Sequence, residues 1–243
     1  MQTPRPKPGL QVALVGAFNA WLDHTTLIAG LDAALQARPD LHICCIGANI
    51  ESMPTGGYEA VCRWAQESSA TDRIHVHGWV PQSKLPDLLR TCNAGVWMDR
   101  AGDEPLLGSR TRALLYGWMG LQLIGTPSTE LATALEHAGH LVPVPVGDAE
   151  QLCQTLLSLQ SPEDPARTLA RQDWMADRYG MQRISRPLLD WAAAPMRCRS
   201  SDDPSAALAA DHARIRDELH TMRETPTWRL LAAAQRALGK HEP

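Results

Sequence analysis

Short apolar runs with no polar break alternate with helix-spaced patterns through most of this chain, and that alternation leaves few folds open. Residues 12–15 form an apolar run closed by Gly16, residues 41–46 a mostly apolar strand ending at Gly47, and residues 74–77 a short third strand. Further runs lie at 93–98, 121–126 and 141–146. Strands that are apolar at consecutive positions are buried on both faces, as a parallel sheet covered by helices demands. Helical patterns separate them. Residues 25–37 carry Leu27, Ile28, Leu31 and Leu35 at helical spacing, with Asp23 placed to cap the start. Residues 58–66, 85–91, 130–138 and 149–159 read the same way, and Ser109-Arg110-Thr111-Arg112 opens a helix that closes at Met119-Gly120. The pattern predicts an α/β domain over residues 10–195, with a doubly wound, mostly parallel sheet of about six strands behind a linker-like tail at 1–9.

From residue 162 the strand signal stops. Residues 165–179 and 181–193 read as two helices trailing the domain, 196–204 as a linker, and 205–243 as a helical tail. Within the tail, 206–223 offer only Leu208, Ile215, Leu219 and Met222 as an apolar stripe. That is thin for burial against a domain, so a partly exposed or self-pairing helix is expected. The last element, residues 227–240 with Thr227 and Lys240 at its ends, gathers Arg229, Arg236 and Lys240 on one side. Leu231, Ala234 and Leu238 lie roughly opposite, with Trp228 at their edge. Such a face suits an anionic membrane surface, and docking on its own domain is the other reading.

Composition removes several classes. A net charge of −4 argues against a nucleic-acid partner. The six cysteines show no Cys-x-x-Cys pair and no ligand-like spacing with histidine, so neither a disulfide framework nor a metal site is expected. His75 and His77 share one face of a strand, a spacing that suits packing or a polar edge. The start has no apolar region of the signal-peptide kind, and no run approaches the length that spans a bilayer. A cytoplasmic location follows, peripheral at the inner membrane face if the terminal helix binds there. The first turn, Gly16-Ala17-Phe18-Asn19-Ala20-Trp21, lacks Gly-x-Gly-x-x-Gly spacing, and no Gly-Lys-Ser/Thr loop occurs, which disfavours NAD-linked oxidoreductases and nucleoside triphosphatases.

The stretch from Asn93 to Glu130 carries the chemistry. An apolar strand empties into the loop Asp99-Arg100-Ala101-Gly102-Asp103-Glu104, and the helix opened by Ser109 follows. A loop at a strand's carboxyl end before a helix start offers free N–H groups and a positive dipole end, the place where α/β proteins hold phosphorylated ligands. Arg110 and Arg112 suit a diphosphate, and Glu104 suits sugar hydroxyls. Either arginine has a structural alternative, an ion pair to Asp99, Asp103 or Glu104, and Asp23 is explained equally well as a helix cap.

In order and spacing, Glu104, Ser109-Arg110-Thr111-Arg112, Trp118-Met119-Gly120-Leu121, Thr126 and Glu130-Leu131 resemble the donor-binding half of family-4-type GT-B glycosyltransferases of polysaccharide and O-antigen clusters. Gly16 to Asp23 resembles the first strand-to-helix turn of that half, and His77-Gly78-Trp79-Val80-Pro81 resembles the turn whose backbone lies beside the nucleotide base. The resemblance covers roughly residues 10 to 195. It implies a Rossmann-like half of a GT-B fold that binds a nucleotide diphosphate sugar for retaining transfer, through Gly16, Phe18, Asp23, Trp79, Val80, Glu104, Ser109, Arg110 and Arg112. No cofactor is expected. Leu115 stands where the family carries an acidic residue for the ribose hydroxyls, and Gln122 stands in place of a proline. The resemblance further implies an acceptor domain beyond this sequence, the chain being either a separate subunit or a truncated product, and little transferase activity from the chain alone. A non-catalytic relative serving as a binding or scaffolding module is the competing reading.

Overall fold

Residues of the apolar runs alternate between two faces of one sheet, and both faces are covered. The computed structural model describes residues 9–50, 56–160, 163–195 and 204–225. Its strands are β1 (Leu10–Val15), β2 (Leu41–Ile46), β3 (Ile74–Val76), β4 (Ala94–Trp97), β5 (Gln122–Gly125) and β6 (Leu141–Pro143), joined in the order β3-β2-β1-β4-β5-β6. Every pairing is parallel, with Leu10 opposite Leu41 and Val15 opposite Ile46 in the longest ladder. This is the Rossmann arrangement, whose strand order reverses between β1 and β4.

On one face Leu10, Val12, Leu14, Ile43, Cys45, Val96 and Ile124 pack under helices α1 (His24–Ala37), α2 (Gly57–Glu67) and α7 (Ala149–Ser158). On the other, Ala13, Cys44, Ile46, Trp97 and Leu123 meet α3 (Leu85–Leu89), α5 (Thr111–Trp118), α6 (Glu130–His137) and α8 (Pro165–Tyr179). Burying each large side chain contributes about 1.5–3 kcal/mol. Glycines admit the closest approaches. A Cβ at Gly30 of α1 would lie 2.8 Å from Leu152 of α7, and one at Gly95 would lie 2.3 Å from the Tyr116 ring. Asp23, Thr129 and Asp148 cap α1, α6 and α7 by accepting from the N–H groups of Thr26, Ala132 and Gln151.

Two elements differ from the pattern. The loop at 99–104 ends in a short helix, α4 (Asp103–Leu107), so Glu104 sits in a first helical turn. Acids there complement the dipole, and Pro105 in the opening turn gives up no needed N–H. Strand β6 stops at Pro143 rather than reaching residue 146, because Pro143 and Pro145 lack ladder donors.

Helix α8 binds the sheet unit firmly. Met175 fills the space over Gly117, and Arg171, paired with Glu163 at 2.6 Å, donates to the Gly120 carbonyl at 3.2 Å. Helix α9 (Met181–Ala193) buries no side chain. The chain up to Ile184 gathers into one compact unit and the chain from Ser185 into a second, so the division falls within α9. The second unit contains α10 (Pro204–Glu224), on which Leu208, Ile215, Leu219 and Met222 are exposed. Among the described residues no helix is long and apolar enough to cross a membrane, and the basic segment 227–240 lies outside them.

Candidate functional site

Parallel strands expose their carboxyl ends along one edge, and a crevice opens there where the strand order reverses. The turns after β1, β2 and β3 line this edge as three glycines in a row. Gly16, at φ +120°, donates to the Ile46 carbonyl at 2.9 Å, and Gly47, at φ +121°, donates to the Gly78 carbonyl at 2.8 Å. A Cβ at Gly47 would lie 2.1 Å from the Gly16 oxygen, so both the contact and the positive φ require glycine. Pattern reading singled out Gly16 for the site; Gly47 carried the same signal, a glycine ending an apolar run.

Across the switch point the loops after β1 and β4 are tied together. The Asp23 N–H donates to the Met98 carbonyl and that of Arg100 to the Trp21 carbonyl, each at 2.9 Å, around an antiparallel bridge between Leu22 and Asp99. Asp23 caps α1, accepting from the Thr26 N–H at 3.1 Å and the Thr26 hydroxyl at 2.6 Å.

The two arginines part company here. Arg110, at the N-cap of α5, is buried, and its nitrogens are taken by carboxylates. Nε donates to Asp99 Oδ1 at 2.8 Å, Nη1 to Glu104 Oε1 at 3.2 Å and Nη2 to Glu104 Oε2 at 2.7 Å. The Thr126 hydroxyl donates to Asp99 Oδ2 at 3.0 Å and accepts from the Asp99 N–H at 2.9 Å. Burial pushes the Asp99 carboxyl above its ordinary range even against the nearby Arg110 charge. Burial alone would lower Arg110, but the Glu104 hydrogen bond and the Asp99 charge outweigh it and hold the guanidinium firmly protonated. Of the two readings open to Arg110, the structure shows the ion pair.

Arg112, one residue into the same helix, has no hydrogen-bond or ion-pair partner for its guanidinium among the described residues. It is half-buried and lies over the first turn: a Cβ at Gly16 would sit 3.2 Å from both its Cζ and Nη2. Burial is the main force lowering its pKa; Tyr116 opposes that and Arg110 adds to it. An arginine stays charged nonetheless. Beneath it Tyr116 is fully buried, its ring against Gly95 and its hydroxyl accepting from the Val15 N–H at 2.7 Å.

The remaining expected residues are spread around this centre. Ser109 is exposed at the mouth, with no side-chain partner among the described residues. Trp79 is 60% exposed at the end of β3, its indole N–H donating to the Asn49 carbonyl at 3.1 Å, and so presents a flat apolar face on the edge. Val80 instead packs partly buried on the core, and Phe18 is buried against Tyr58 at 5.8 Å between ring centres. Both side chains therefore support the turns from beneath. Leu115 also packs partly buried on the core. Asn19, in the first turn, has a buried Oδ1 with no hydrogen-bond partner, an acceptor that pattern reading did not single out. Among the described residues no group of His, Cys, Asp and Glu is placed to hold a metal ion.

No family model matches the chain, and no curated protein matches it. Solved structures do. The HepE protein of Anabaena in complex with UDP-glucose superposes with a TM-score of 0.62 at 15% identity, over 76% of this chain and 49% of that one. The fold is that of one half of a GT-B glycosyltransferase. A glycosyltransferase from Rickettsia africae matches with a TM-score of 0.62 at 16% identity, over 76% of this chain and 47% of that one. The chain thus spans about half the length of these two proteins. The C-terminal domain of a group 1 family glycosyl transferase, LpcC of Francisella tularensis, matches with a TM-score of 0.57 at 17% identity, over 72% of this chain and 89% of that domain. The matched part of this chain is therefore similar in extent to that domain.

Proposed function

We propose that this chain binds a nucleotide diphosphate sugar at the β1–β4 switch point and serves as the donor-binding domain of a retaining glycosyltransferase in polysaccharide or glycoconjugate biosynthesis. The observation that carries this reading is Arg112, a half-buried cation with no hydrogen-bonded carboxylate among the described residues, held over the glycine turn that ends β1. An unpaired guanidinium in partial burial is costly, and an anionic ligand removes the cost by forming charge-assisted hydrogen bonds. Diphosphate oxygens on the Gly16 turn would meet that guanidinium together with the backbone of the turn. In this reading the Asp99–Arg110–Glu104 chain does not bind phosphate. It fixes the start of α5, and hence Arg112, while the 39% exposed side chain of Glu104 keeps an edge toward sugar hydroxyls. Trp79 offers a face on the nucleotide side of the edge. Relatives of this fold solved with UDP and UDP-glucose support the choice of ligand.

Transfer also requires an acceptor held against the anomeric carbon with water excluded, which one half of a cleft does not supply. An acceptor-binding half from another domain or subunit completes the site in this reading, and the 243-residue chain alone turns over little or no donor. The work is placed at the cytoplasmic membrane face, where residues 227–240 would meet anionic lipid. A non-catalytic binding module is the second reading, favoured by Leu115, which packs on the core and offers the ribose no acceptor.

Calorimetric titration with UDP-, GDP- and ADP-sugars tests the proposal. Saturable binding of one of them, weakened by Arg112→Ala, is the expected result. Failure of every donor to bind the folded chain would remove the donor-domain reading.

A further inference from the structure

Helix α10 carries an exposed apolar seam. Leu208, Ile215, Leu219 and Met222 are 62, 47, 49 and 49% exposed. Leu208, Ile215 and Met222 recur every seven residues, and Leu219 lies four after Ile215, as does His212 after Leu208. That is heptad spacing, with Leu208, Ile215 and Met222 at d and His212 and Leu219 at a. The positions flanking the seam then follow without choice. Asp211 and Glu218 fall at g, and Arg216 and Arg223 fall at e.

In a parallel two-stranded coiled coil each g residue faces the e residue five places further along the other helix. Asp211 therefore meets the second copy's Arg216, and Glu218 meets its Arg223, on both sides of the seam. An antiparallel pair sets g against g and e against e, bringing acid to acid and arginine to arginine. The charges thus select both the partner and its orientation. Within one helix Asp211 and Glu218 each bind Arg214, at 3.1 and 3.0 Å, while Arg216 and Arg223 have no ion-pair partner among the described residues. A carboxylate accepts from two arginines at once, so the intrahelical pairs need not break. His212 sets a polar layer that penalises slipped registers.

We infer that α10 pairs with α10 of a second copy of this chain as a parallel, in-register, two-stranded coiled coil. The seam has only five layers from Leu208 to Met222, so the pair is weak and salt-sensitive. Its orientation brings both Thr225 residues to the same end of the pair.

Sedimentation velocity on the full chain is expected to show a monomer–dimer equilibrium that weakens with salt. Arg216→Glu with Arg223→Glu places acid against acid at every flanking pair, and should raise the dissociation constant on the order of a hundredfold. Asp211→Arg with Glu218→Arg should do the same, and mixing the two variants should restore a heterodimer, which a folding defect would not allow. His212→Leu should tighten the wild-type pair. For orientation, Leu208→Cys and Met222→Cys should each give a same-residue disulfide on mild oxidation, above the background of the unmodified chain. A chain monomeric at all attainable concentrations, a trimer or tetramer, or cross-linking of Leu208→Cys only to Met222→Cys would overturn the inference.

Discussion

Replacing Arg112 by methionine should stabilise the ligand-free protein and weaken donor binding, two effects of opposite sign from one change. Methionine keeps an unbranched apolar stem against the half-buried surroundings and removes only the guanidinium. That group has no hydrogen-bonded counter-ion among the described residues; burial is the main force against its charge, and the repulsion of Arg110 is countered by Asp99 and Glu104. Removing a partly buried charge with no hydrogen-bonded partner should yield about 1 kcal/mol. For a domain of this size that corresponds to a rise of about 2–4 °C in Tm. The same guanidinium, if it holds a diphosphate, contributes ~1.5–3 kcal/mol to binding, so the dissociation constant should rise by tenfold or more. In melts with UDP-glucose or another bound donor at about a hundred times the wild-type Kd, the wild type gains ~2.7 kcal/mol. A variant weakened tenfold gains only ~1.4 kcal/mol at the same concentration. Thermal melts with and without donor read both quantities in one experiment. A lower Tm without ligand, accompanied by an unchanged ligand-induced shift, would show that Arg112 is structural and that the phosphate assignment is wrong.

Arg110→Ala should behave oppositely, destabilising the free protein by about 3–5 kcal/mol in chemical denaturation because it strands Asp99 and part of Glu104; a loss under 1 kcal/mol would mean that the buried chain does not organise the start of α5. Asp32 joins α1 to α2 by accepting from Trp64 Nε1 at 2.8 Å and Ser68 Oγ at 2.7 Å, so Asp32→Ala should cost about 1–3 kcal/mol near neutral pH. Burial works to raise the Asp32 pKa, but the hydrogen bonds from Ser68, Trp64 and Gln36 together hold it below 3.8. Its contribution is therefore present above pH 3.8 and lost as pH falls through the folded-state pKa. Urea midpoints of wild type and variant should converge across that acid window, and parallel curves would refute the assignment.

The sheet was readable from the sequence because its signals are local. Consecutive apolar positions at 43–46 need helices on both sides wherever they sit, and Asp23, Thr129 and Asp148 cap the helices that directly follow them. Helix α4 escaped because five residues with two glycines at the flanks carry no periodicity. The site divides along the same line. That Gly16, Glu104, Arg110 and Arg112 gather at one sheet edge follows from strand ends and helix starts, which are sequence features. Which arginine is free does not. Residues two apart on a helix start point to different sides, and nothing in Ser109-Arg110-Thr111-Arg112 says which side holds an acid. The answer comes from Asp99, eleven positions earlier and brought under Arg110 by the register of β4 against β5, with Thr126 at the end of β5 holding its second oxygen. Arg112 is left unpaired because the neighbour on its side is Gly16, which has neither a side chain nor a charge. An arginine over a glycine turn is a contact between a helix start and a strand end that never meet in sequence, so the chemistry of this edge is decided by the sheet rather than by the motif.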